Sequence, residues 1–142
     1  MFDITHCYGL LYHVGNPAEV IKSLSKRTKK YFLLETCVSV DKSMAINLVE
    51  EPTENPTQAF NGQGCRPTRP WLMHEIKKYF KYVYIPKTQP SHDEFPTDWS
   101  NPCNSQFGLY RAVFIGSNEK LQNPMLTTKL IDYQPWCLAQ NN

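Results

Sequence analysis

The chain has 142 residues, with 15 Lys and Arg against 13 Asp and Glu for a formal net charge of +2. That length supports one hydrophobic core and makes a single domain the expectation, while 41% hydrophobic and 20% charged residues exclude a disordered chain. The near-balanced charge argues against a dedicated nucleic-acid binder, and no apolar run approaches the ~20 residues needed to cross a bilayer.

Residues 4–11 are apolar on both faces apart from Thr5 and His6, which predicts a parallel strand inside a sheet with helices covering each side. Tyr8 and Gly9 fall at its carboxyl end, where open α/β sheets bind ligands. Asn16 as N-cap, Pro17 in the first helical position and Glu19 at the capping-box position predict a helix over 17–27. Val20, Ile21 and Leu24 form its apolar stripe. The basic stretch Lys26 to Lys30 complements the dipole at the helix end; nucleic-acid contact is the lesser reading of that patch.

Residues 31–38 predict a second strand, so the opening segment reads as a right-handed βαβ crossover. Glu35 sits near the carboxyl end of this strand, with a pairing to the basic turn as its simpler explanation. Periodicity fails over 39–67, a stretch rich in turn residues. A loop of that length is a lid, a substrate-binding insertion or an irregular excursion. Thr68 and Pro70 open a second helix, carried by Leu72, Ile76, Tyr79 and Phe80. A short strand at 82–85, a second long loop at 87–107 and a last strand at 109–115 follow. The tail, 119–142, is expected to pack on the domain with Trp136 as its anchor.

Arg66 and Arg69 flank the start of the second helix, where two guanidiniums beside free amides would hold a carboxylate or phosphate of a substrate. His92, in a polar-aromatic loop with Asp93, Glu94, Asp98 and Trp99, is placed over the same mouth. Its neighbours lack the spacing of a structural metal site, so no metal is expected. Cys7, Cys37, Cys65, Cys103 and Cys137 are scattered, without a CxxC pair or a secretory signal, which points to reduced thiols and a cytoplasmic location. The chain contains no Gly-x-Ser-x-Gly elbow and no phosphate loop, against a hydrolase or kinase.

Phe2-Asp3, the apolar strand, Gly9-Leu10-Leu11-Tyr12-His13 and the Asn16-Pro17 helix start resemble the fourth strand and following loop of class I S-adenosylmethionine-dependent methyltransferases. The later order of elements is similar too, including the acid Glu35 at a strand end and a last, antiparallel strand, as far as about Asn118. The resemblance implies an α/β fold: a partial Rossmann-like sheet of about four strands, flanking helices and two long loops. Residues 1–118 would be the C-terminal half of the domain, with insertions at 39–67 and 87–107. It places Tyr8, Gly9 and Leu10 on the cofactor wall and His13 and Tyr12 at the methyl-transfer site, His13 orienting an acceptor or serving as base. A histidine that fixes the loop through its backbone, and a tyrosine packed on the helix, are the structural alternatives.

The family's glycine-rich loop and ribose-binding acid would precede Met1, and Gly62-Gln63-Gly64 lacks the strand and helix that such a loop needs. The expectation is therefore a chain that binds S-adenosylmethionine only when completed by an N-terminal half, and is inactive alone. The partners expected are a small anionic or aromatic acceptor and either a second copy or a separate N-terminal half. The alternative is a non-enzymatic module that pairs through its open sheet edge.

Overall fold

Asn16 and Thr68 start the two helices in the way their side chains predict. The Asn16 carboxamide oxygen accepts the Glu19 backbone N–H at 3.3 Å, and the Thr68 hydroxyl oxygen accepts that of Trp71 at 3.3 Å. Glu19 does not close a capping box; its carboxylate takes Lys22 at 3.0 Å instead. The computed structural model describes residues 1–55, 57–59, 61–102 and 108–137. Cys103 and the ends of the second long loop and of the tail lie outside the described residues.

In chain order the elements are β1 (Phe2–Tyr8), a 3-10 turn (Leu11–His13), α1 (Pro17–Ser25), β2 (Thr28–Val38), β3 (Leu48–Glu50), β4 (Gln63–Cys65), α2 (Arg69–Lys77), β5 (Tyr82–Pro86), β6 (Tyr110–Ser117) and β7 (Leu126–Thr127). Five of the strands form one sheet in the order β1-β2-β6-β5-β7, and β3 and β4 form a separate antiparallel pair. β1 and β2 run parallel, whereas β6 is antiparallel to both β2 and β5. The sheet thus has five strands rather than four. The extra one, β7, comes from the tail; the first insertion carries the β3–β4 hairpin. Both additions are too short, at two and three residues, to show a strand period.

The opening strand ends at Tyr8 instead of residue 11, because Gly9 turns the chain at φ 65° and Leu11–His13 wind into the 3-10 turn. β1 also lies at the edge, with β2 on one side and no strand on the other among the described residues. Registers divide the sheet into two faces. On one, Cys7, Phe32, Leu34, Val38, Ala112, Phe114, Val83 and Ile85 are buried in a single cluster with Ile21, Leu72, Ile76 and Phe80 of the helical segments. On the other, Ile4, Leu33 and Ile115 share a face. No helix of that core cluster covers them: Ile4 is 48% exposed and Leu33 and Ile115 are only half-buried. Coverage on both sides, expected for the apolar β1, is therefore not supplied, since both helices pack against the same face.

The tail is anchored differently from the expectation. Trp136 is 45% exposed and donates only to the Phe95 carbonyl, whereas Gln134 is buried, receives the Trp99 indole N–H at 2.6 Å and donates to the Pro86 carbonyl at 2.5 Å. An amide with both a donor and an acceptor satisfies two buried partners at once, which an indole cannot. No helix among the described residues is long and apolar enough to cross a membrane. Cys7, Cys37 and Cys65 are free and buried; burial pushes their thiols up to about 11, 11 and 12, so they are protonated packing residues at neutral pH.

Candidate functional site

The carboxyl ends of β1 and β2 meet the first residues of β6 and the hairpin of the first insertion, and His13, Glu35, Glu51, Arg66, Glu94 and Arg111 converge there. His13 closes the 3-10 turn that follows β1, and its Nδ1 lies 2.7 Å from Glu51 Oε2. Glu51 follows β3, its side chain only 3% exposed. The same carboxylate accepts the Ala59 backbone N–H at 2.8 Å and, through its other oxygen, Arg66 at 3.4 Å. Burial by itself pushes the Glu51 carboxyl up, but hydrogen bonds from His13 and Ala59 and the charge of Arg66 outweigh it and hold the group below the usual carboxylate range.

An ionised carboxylate only accepts, so the proton on this hydrogen bond belongs to His13 Nδ1. Nε2 is then the basic nitrogen, and it has no hydrogen-bond partner among the described residues. The ring is 17% exposed. A carboxylate-oriented imidazole with a free Nε2 at a partly open position is equipped to take a proton from a neighbouring hydroxyl.

Tyr12 stands between this group and a second one. Its ring centre lies 4.0 Å from that of His13 with the planes tilted by 47°, and the guanidiniums of Arg66 and Arg111 lie 5.3 and 5.1 Å from its centre. Its hydroxyl accepts from Arg111 Nη2 at 3.3 Å. Arg111, at the start of β6, also donates to Glu35 Oε1 at 2.7 Å and to Glu94. Burial lowers the affinity of Arg111 for its proton, but the bonds to Glu35, Tyr12 and Glu94 prevail and raise it above the ordinary arginine range. Glu35 uses its second oxygen for the Gly9 backbone N–H at 2.9 Å. The loop after β1 is thereby tied to the end of β2. Glu35 is no partner of the basic turn, as its position first indicates, because the antiparallel β6 brings Arg111 within reach.

The other candidates divide. Tyr8 and Leu10 are 53% and 51% exposed, and around Gly9 a Cβ would meet nothing within 4 Å, so this backbone is open to a ligand. His92 is exposed, pairs with Asp93 at 3.1 Å and lines a cavity with Glu35, Glu94, Phe95 and Arg111, next to Tyr12 rather than next to His13. Arg66 and Arg69 do not form a joint anion site. Arg66 turns to Glu51 and the Tyr12 carbonyl, whereas Arg69 is buried against Trp99, Ile131 and Gln134. Three residues apart across a helix start, they leave the chain on different sides, and α2's first turn carries Arg69 away. Among the described residues no group of three His, Cys, Asp or Glu is placed to hold a metal ion.

Glu51 and Arg111 are the site residues that sequence reasoning misses; Glu94 it names only as a member of the polar-aromatic loop over the mouth. Glu51 lies in Glu50-Glu51-Pro52, which reads as a solvated turn. A trace of its role is Gly64: a Cβ there would lie 2.6 Å from Glu51 Oε1 and 2.6 Å from the Tyr12 carbonyl. Glycine is required because the hairpin backbone presses directly on the acid.

The five-stranded sheet, with both helices on one face, is consistent with a Rossmann-like α/β fold in the broad sense. Comparison of the sequence with protein-family models and with curated proteins finds no match. Among solved structures, the chain is similar to the N-terminal domain of EvdMO1, crystallised in the presence of SAH and D-fucose, with a TM-score of 0.57 and 21% identity over 82% of this chain and 47% of that one. The same domain with SAH bound gives a TM-score of 0.56 and 20% identity over 82% and 46%. The likeness is one of fold. The chain spans about half the length of these structures.

Proposed function

We propose that the chain forms the acceptor-side wall of a methyl-transfer site that uses S-adenosylmethionine, with His13 as the group that takes the acceptor's proton. The observation that carries this reading is the His13–Glu51 pair, 2.7 Å apart, immediately beyond the open backbone of Gly9 and Leu10 at the end of β1. The fold's likeness to an SAH-containing domain supports the choice of cofactor. So does the resemblance of the 2–17 segment to the methyltransferase fourth strand.

Tyr8, Gly9 and Leu10 fit one side of the cofactor: exposed, with no Cβ obstructing approach at Gly9. They do not supply the glycine-rich loop or the ribose-binding acid, so in this reading the other side comes from a strand-bearing segment seated along the edge of β1. Bound there, S-adenosylmethionine supplies an electrophilic methyl group. The rest is done by this chain. Glu51 holds the imidazole in one tautomer, Nε2 accepts the hydroxyl proton, and Tyr12, fixed between two arginines, forms the adjoining wall.

The test is methyl transfer from labelled S-adenosylmethionine to a panel of hydroxylated acceptors. It is run with the chain alone and with the chain combined with a glycine-rich strand–loop–helix segment. No transfer is expected alone, transfer in the combination, and a loss of about 10²–10⁴-fold on His13→Asn. Transfer unchanged by His13→Asn contradicts the role of His13. The exposure of Phe2, Ile4 and Tyr8 along β1, 65%, 48% and 53%, also favours a second reading, a non-enzymatic module that captures a strand at this edge. Segment binding without cofactor binding selects it.

A further inference from the structure

A cavity of about 230 Å³ lies between the segment leaving β2 and the first turn of α2, with walls of Val40, Pro70, Trp99 and Leu130. None of its lining residues belongs to the His13–Glu51–Arg66 cluster. Asp41, Lys42 and Asp132 also line the cavity, and its buried charged group is Arg69, 6% exposed, with the guanidinium 4.0 Å above the Trp99 ring. Of the five N–H donors of an arginine, only those on Nη2 are engaged, by the Ile131 carbonyl at 3.0 Å and the Gln134 carboxamide oxygen at 3.3 Å. Nε and Nη1 have no acceptor among the described residues.

A guanidinium so deeply buried is ordinarily matched by a carboxylate. Here the acid whose charge reaches it, Asp132, is exposed at the rim, where Lys42 holds it at 3.2 Å. Burial accordingly lowers Arg69 to about 10, only partly offset by the charge of Asp132. Tethering the tail needs one nitrogen; it does not account for a buried guanidinium at a cavity wall with two nitrogens lacking an acceptor among the described residues. The frame is rigid, since Gln134 joins Trp99 and Arg69 through a single oxygen.

We propose that this cavity is a binding site for a small molecule bearing a carboxylate on an apolar body, the carboxylate on Arg69 and the body against Trp99, Val40 and Leu130. Both bidentate edges of a guanidinium include Nη2, which is engaged, so the carboxylate would take a single charge-assisted hydrogen bond from Nε or Nη1. The volume lies below the ~300–1,000 Å³ of pockets for drug-sized ligands, which limits the body to about one ring or a short branched chain. The inference is independent of methyl transfer and stands if that reading fails.

Benzoate is a suitable probe, with benzamide as its neutral isostere and inorganic phosphate as an anion without an apolar body. Titrations of the full chain are followed through the Arg69 Nε–H and Trp99 indole N–H signals in ¹H–¹⁵N spectra. Saturable benzoate shifts are expected, with benzamide and phosphate weaker by about tenfold or more, the factor that a lost charge-assisted hydrogen bond of ~1.5 kcal/mol sets. Arg69→Gln removes the shift at Trp99. Because that change also weakens the tail tether, Leu130→Glu serves as a second variant: Leu130 is 37% exposed, so the fold is kept while an added carboxylate at the wall repels benzoate severalfold. Absent benzoate shifts, equal response to benzamide, or a Leu130→Glu protein that binds as well as the parent overturns the proposal.

Discussion

Glu51 concentrates the site's electrostatics in one side chain. Replacing it by Gln removes the charge that fixes the His13 proton on Nδ1, so the ¹⁵N spectrum of His13 is expected to lose its preference for a protonated Nδ1. A tautomer pattern unchanged in Glu51→Gln would show that the pair does not orient the ring. The stability effect has a defined sign. Because the folded carboxyl is held below its usual value, its contribution is complete above the unfolded carboxyl pKa of about 4.3 and is lost as pH falls through the lower folded value. Glu51→Gln should therefore cost about 1–3 kcal/mol in urea denaturation at neutral pH, with the gap to the parent closing in acid. Gly64→Ala should reach the same site sterically. Its Cβ would sit 2.6 Å from both Glu51 and the Tyr12 carbonyl, and the required backbone shift costs about 1–3 kcal/mol and spoils the His13 tautomer. A Gly64→Ala protein as stable as the parent would show that the hairpin yields freely.

Among the elements, the helices and the middle of the sheet were legible and the edges were not. Asn16-Pro17 and Thr68-Arg69-Pro70 specify helix starts by local hydrogen bonding alone, so they read correctly without tertiary context. Alternation in β2 and β6 likewise follows from a buried face. β1 does not obey that rule: its apolar side chains Phe2, Ile4 and Tyr8 imply cover that neither helix provides. Glu51 was illegible because its burial depends on the β3–β4 pair, three residues a side, which folds an acidic turn back onto His13. The separation of Arg66 from Arg69 was equally hidden, since it depends on which way α2 leaves its cap. One element-level contact is directly testable. At Gly116 in β6 a Cβ would lie 2.6 Å from the Phe80 ring, itself stacked on Phe32 at 5.8 Å. Gly116→Ala should lower stability by about 1–3 kcal/mol by thermal or urea denaturation, the cost of overpacking a filled core. An unchanged midpoint would mean that Phe80 is free to move.

At the scale of the whole molecule, one sheet face is packed against both helices and the other is left half-open, with β1 as a parallel edge strand that no other strand covers among the described residues. That asymmetry, and the positioned charges around the loop after β1, are the features on which the proposed two-piece site rests. The most direct measurement is calorimetric titration of S-adenosylhomocysteine into the chain alone and into the chain combined with a glycine-rich strand–loop–helix segment, with amide hydrogen exchange in β1 reporting whether the segment has docked. The expected result is no saturable heat alone, and one-site binding once the β1 amides are protected. Saturable binding by the chain alone, or a protected β1 edge without cofactor binding, would contradict it.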